Sequence, residues 1–103
     1  MGWASRFIAD LKAGKAVEFR PRGNSMTGLV DSGDLVRVVP VNERKPQEGD
    51  IVLCKVHGSE YLHKVLAVRG EQYQIGNNKG HINGWAHANA VYGTCVRVEN
   101  RNR

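Results

Sequence analysis

The chain opens with apolar residues spaced for a helix. Trp3, Phe7 and Leu11 fall at i, i+4 and i+8 with Ile8 beside them, which predicts an amphipathic N-terminal helix over residues 1–14. Gly14 follows the last apolar position and suits a helix stop. The period then changes from helix to strand: Val17 and Phe19 alternate with Glu18 and Arg20, a short strand closed by Pro21. Residues 34–40 (DLVRVVP), 50–57 (DIVLCKVH), 60–69 (EYLHKVLAVR), 72–76 (QYQIG) and 91–98 (VYGTCVRV) are further strand-length runs rich in β-branched residues. Gly58-Ser59 and Gly70-Glu71 separate successive runs and read as hairpin turns. Residues 77–89 (NNKGHINGWAHAN) are rich in Asn and Gly and read as a loop, with Trp85 as its anchor.

The expected fold is therefore mainly β: about six short, mostly antiparallel strands preceded by one helix. No second helix stands at turn spacing from the first, which excludes a helix-turn-helix DNA reader. The expected organisation is a helix over 1–14, a β domain over 15–98 and a basic tail over 99–103. At 103 residues the chain has room for one core, and a charged share of 24% is ordinary for a globular protein.

Charge is unevenly placed. The net charge is +5, and residues 23–96 sum to zero, so the surplus sits at the two ends. Solvated termini explain that surplus better than a nucleic-acid site does, and nucleic acid is not an expected partner. No apolar run approaches the ~20 residues of a membrane-spanning helix, and no signal-peptide pattern opens the chain. Cys54 and Cys95 form no CxxC pair and read as reduced core residues, which fits a cytoplasmic protein. His57, His81 and His87 fall in separate turns and loops without ligand spacing, so neither a metal nor another cofactor is expected.

Candidate chemistry begins at Arg22-Gly23-Asn24-Ser25-Met26-Thr27-Gly28, a glycine-flanked serine in a loop after a strand. Such a loop can present a hydroxyl together with several backbone N–H groups, but the serine needs a base within hydrogen-bond reach. Downstream lie Gly33-Asp34-Leu35-Val36 and Gly49-Asp50-Ile51-Val52, two Gly-Asp turns that each launch an apolar strand. Leu62-His63-Lys64-Val65 through Gly70-Glu71 follows, then Ile75-Gly76-Asn77-Asn78, then Val91-Tyr92-Gly93. This ordered series resembles the LexA/signal-peptidase superfamily of serine peptidases, with its G-x-S-M box, paired G-D strand starts, K-R-V base strand, G-D-N turn and closing V-x-G strand. The resemblance covers about residues 18–98.

The resemblance implies a small LexA C-terminal-like β domain, with Ser25 as nucleophile and a protein or peptide as substrate. Ser25 N–H and a neighbouring loop N–H, around Asn24, would receive the oxyanion. Three departures stand out. His63 occupies the place of the base lysine, as in the endoplasmic-reticulum and archaeal type of signal peptidase, and Lys64 takes the place of the arginine. The G-D-N aspartate becomes Asn77, and since no aspartate follows Asp50, Asn77 or Asn78 would have to orient the imidazole. Gly28 replaces a proline. Ala13-Gly14 matches the Ala-Gly bond that LexA-like repressors cut in themselves, although here it also closes a helix.

Strand alternation puts His63 and Lys64 on opposite faces, so only one of them can face Ser25. His63, with an ordinary pKa of about 6.5, is largely a free base at neutral pH. Lys64 would need burial among Leu62, Leu66 and Val68 to serve, and a chain with no base at all is the third possibility. The leading expectation is a stand-alone Ser25–His63 peptidase, phage- or prophage-encoded. Its alternative is an inactive LexA-like module that binds and modulates a host protein. The apolar stripe Trp3/Phe7/Ile8/Leu11 is expected to cap its own domain rather than to make a homodimer contact.

Overall fold

The structure is a computed structural model and describes residues 2–100. One helix, α1 (Ser5–Lys12), precedes seven strands: β1 (Val17–Phe19), β2 (Leu35–Pro40), β3 (Ile51–Val56), β4 (Ser59–Arg69), β5 (Gln72–Gly76), β6 (Ile82–His87) and β7 (Val91–Glu99). They form a single sheet in the order β1-β2-β7-β3-β4-β5-β6, every pair antiparallel.

The sheet carries two apolar clusters. On one, Ala4, Ile8 and Leu11 of the helical segment meet Val17, Phe19, Val36, Val38, Leu53 and Leu62. The other gathers Val52, Cys54, Val56, Val65, Tyr73, Ile75, Ala86 and Val91. Strand β3 feeds both, Leu53 into the first and Val52, Cys54 and Val56 into the second. That is why it reads as a continuous apolar run rather than an alternating one. The sheet curls so that β6 returns to the β3–β4 turn. There Gly84 lies so close that an added Cβ would sit 3.1 Å from His57 Nε2.

Gly14 ends the helix as expected, with Gly14 N–H bonded to the Leu11 carbonyl and Lys15 N–H to the Asp10 carbonyl. This is the paired arrangement that satisfies the last free carbonyls of a helix. Its N-terminus is completed from far along the chain. Glu60, on β4, accepts from Ala4 N–H (2.7 Å) and from the Ser5 hydroxyl (2.8 Å). Phe7 stacks on Phe19 at 4.4 Å, and Trp3 tilts against the same ring at 5.7 Å. The apolar stripe of the helix thus lies on its own sheet.

The two Gly-Asp turns are the same structure built twice. Asp34 N–H donates to the Asp31 carbonyl while Asp34 Oδ2 accepts from Asp31 N–H. Asp50 repeats this with Gln47: its N–H donates to the Gln47 carbonyl and its Oδ2 accepts from Gln47 N–H. A short acceptor side chain closing its own turn is what Asp supplies better than other residues.

Four expectations need correction. Residues 77–89 are not all loop: Ile82–His87 is a strand paired with β5, followed by a 3₁₀ turn over Ala88–Ala90. Asn and Gly mask it, and only Ala86 of that strand is buried, so almost no apolar alternation announces it. Trp85 is no buried anchor; it is partly exposed on the outer surface, with the Arg69 guanidinium 5.2 Å from its ring centre. The first hairpin turn is His57-Gly58 rather than Gly58-Ser59, because both take positive φ (51° and 83°) as a type I′ turn requires. At the C-terminus, Glu99 still pairs with Leu35, so the expected basic tail begins inside β7, and its residues 101–103 lie outside the described residues.

Candidate active site

Ser25 lies in the loop between β1 and β2, and His63 lies near the middle of β4. Ser25 Oγ and His63 Nε2 are 3.1 Å apart. The other ring nitrogen, Nδ1, is 2.7 Å from Asn83 Oδ1. An amide oxygen only accepts, so Nδ1 carries the proton and Nε2 offers its lone pair to the Ser25 hydroxyl. Tyr61 flanks the imidazole with ring centres 4.8 Å apart.

Burial pushes the His63 pKa below its ordinary value of 6.5; the Asn83 hydrogen bond opposes the shift and the neighbouring His81 adds to it. His63 as a residue is only 7% exposed, and its ring is held as a free base at neutral pH. Asn83 is the residue that sequence reasoning missed. It sits in the segment read as loop, and the register places Ile75 opposite Gly84 but Gly76 opposite Ile82, leaving Asn83 as the unpaired residue of a bulge. A bulge re-aims a side chain, here onto the imidazole. The only signal in the sequence is the Asn83-Gly84 pair, which reads equally well as a turn.

Among the described residues, the imidazole's two ring nitrogens bond Ser25 and Asn83, not Asn77 or Asn78. Asn77 Oδ1 accepts from the N–H groups of Lys79 and His81, closing the turn after β5. Asn78 Nδ2 donates to the Thr27 carbonyl (2.8 Å), and Asn78 N–H donates to the Ser25 carbonyl (3.0 Å). Asn24 contributes its carbonyl, which accepts from both the N–H and the hydroxyl of Thr27. Among the described residues, Ser25 N–H makes no hydrogen bond. Gly28, at φ 99°, holds a conformation closed to proline, which accounts for that departure from the superfamily pattern. Lys64 does not end in an apolar layer: its ammonium donates to Asn78 Oδ1 at 3.3 Å.

The serine and histidine open onto a cleft of about 820 Å³ between the helical segment, β1, the Ser25 loop, β4 and β6. Trp3, Phe7, Phe19, Met26, Val30 and Leu62 give it apolar walls, and Arg22 and Asp31 reach it as well. A few convergent polar groups at the edge of an apolar cleft are the common form of a ligand site.

The antiparallel β scaffold and the family match together mark a serine peptidase-like or LexA-like module. The chain belongs to the Peptidase S24-like family, whose model matches residues 3–83, from the start of the helical segment to Asn83. A search of curated proteins gave no match.

Proposed function

We propose that this protein hydrolyses peptide bonds with Ser25 as nucleophile, His63 as general base and acid, and Asn83 as the group that orients His63. The observation that carries this is the continuous chain Ser25 Oγ–His63–Asn83, with separations of 3.1 and 2.7 Å. Ser25 Oγ attacks the carbonyl carbon as its proton passes to His63 Nε2. The Ser25 N–H, without a hydrogen bond among the described residues, would receive the developing oxyanion. His63 then gives the proton to the leaving amine, an acyl-serine forms, and a water deprotonated by the same nitrogen releases it. Asn83 keeps Nδ1 protonated through both steps. The amide meets the need for an acceptor but brings no negative charge to stabilise the imidazolium. The two free thiols, Cys54 and Cys95, support a reducing compartment such as the cytoplasm.

Labelling with a serine-directed fluorophosphonate across pH tests the mechanism. Labelling should require Ser25 and His63 and rise with a midpoint below 6.5, because burial holds the imidazole neutral. Labelling of Ser25→Ala or undiminished labelling of His63→Ala overturns the dyad. A parent chain that is never labelled supports the alternative, a module that binds a partner protein through the same cleft.

A further inference from the structure

Lys64 stands next to His63 on β4 yet does no part of the chemistry proposed above. Its ammonium reaches Asn78, and Asn78 in turn grips the serine loop at two carbonyls, those of Ser25 and Thr27. The loop between β1 and β2 lies outside the sheet ladder around Ser25, so these two bonds tie the nucleophile to the β5–β6 turn. That turn is itself closed by Asn77.

The side-chain amide of Asn78 has two ends of opposite character. In the observed orientation Oδ1 faces the ammonium and Nδ2 faces the Thr27 carbonyl. Turned over, the NH₂ group would meet the ammonium and the oxygen would meet a carbonyl, a repulsion at each end. The lysine cation thus selects the one orientation in which Asn78 can hold the loop. We propose that Lys64 is a positioning residue: acting through Asn78, it sets where Ser25 Oγ stands relative to His63. This rests on the Ser25–His63 mechanism for its kinetic consequence but not for its structural one.

The test combines saturation labelling by the fluorophosphonate with amide hydrogen exchange. Lys64→Met should slow the maximal labelling rate by roughly ten- to a hundred-fold, as expected for a displaced nucleophile. The apparent affinity for the reagent and the midpoint of the acid limb should stay at the parent's values. Lys64→Arg, which keeps a donor within reach of Asn78, should restore most of the rate. Asn78→Ala should match Lys64→Met, and the double variant should be no slower than either, since both remove one strut. Asn78→Asp should not rescue, because it strengthens the lysine contact while setting a carboxylate against the Thr27 carbonyl.

The Asn78 amide, bonded to the Ser25 carbonyl, should exchange faster in Lys64→Met than in the parent. Exchange reports the strut even if the parent is never labelled, so failure of the mechanism and failure of the strut are told apart. Parent-like labelling or parent-like Asn78 exchange in Lys64→Met overturns the proposal. So does labelling abolished by Lys64→Met and by Lys64→Arg alike in a parent whose acid limb lies above 6.5, which would make lysine the base.

Discussion

At the scale of single residues, the site turns on an amide where a charged partner could stand. Asn83 accepts from Nδ1 of His63 and fixes its tautomer without adding a charge, while burial keeps the ring neutral. Asn83→Asp should raise the His63 pKa, because a carboxylate at this distance stabilises the imidazolium, and the acid limb of labelling should move upward. Asn83→Ala should move the limb lower still, since the hydrogen bond that opposes the shift is gone, and slow labelling by roughly a hundred-fold through lost orientation. An imidazole titration by NMR on both variants checks the two directions separately.

The same shift makes a stability statement with a definite sign. The folded chain protonates His63 less readily than the unfolded chain, so the contribution is complete above the unfolded value of 6.5 and is lost as pH falls towards the folded one. Urea midpoints at pH 7.5 and 5 should fall further apart in the parent than in His63→Gln, where that titration is gone.

At the scale of elements, how clearly each could be read in the sequence followed how local its cause was. Helix α1 and its glycine stop depend on residues within a few positions of one another, and the spacing of Trp3, Phe7, Ile8 and Leu11 announced them. The two Gly-Asp turns are equally local, each closed by its own carboxylate. Strand β6 was hidden because it is stabilised by pairing with β5 and by almost no buried side chain of its own. Asn83 was hidden with it, since nothing in a sequence marks a bulge. Ser25, His63 and Lys64 could be singled out because they fall in ordered motifs, but the contact between Lys64 and Asn78 joins residues on different elements. Local patterns cannot supply that.

Glu60 is the strongest such non-local case. It caps a helix whose own N-cap, Ala4, has no side-chain acceptor. Glu60→Ala should cost about 1 kcal/mol, the usual value of a cap. In a domain of this size that is a fall in Tm of roughly 4–8 °C. Glu60→Gln, which keeps an acceptor for Ala4 N–H, should recover much of it. A Glu60→Ala chain that melts with the parent would show that apolar contacts alone hold the helix on the sheet.

At the scale of the whole molecule, β3 decides how the chain opens. It lies between β7 and β4 and contributes to both apolar clusters, so separating it from either neighbour exposes both. Cys54, fully buried on this strand, has its thiol pushed up to about 12 by burial. At pH 8 the native chain therefore holds almost no reactive thiolate there, and reagent gains access only when β3 leaves the sheet. In a Cys95→Ser background, Cys54 modification should proceed only through global unfolding. The opening free energy taken from its rate, with reclosing faster than modification, should equal that from equilibrium urea unfolding and fall with urea at the same slope. The alternative is a cheaper, local route in which the β5–β6 end peels away and carries β4 with it. Modification faster than the global value, with a weaker urea dependence, would establish that route. The half of the sheet bearing His63 and Asn83 would then open independently of the half that carries the helix.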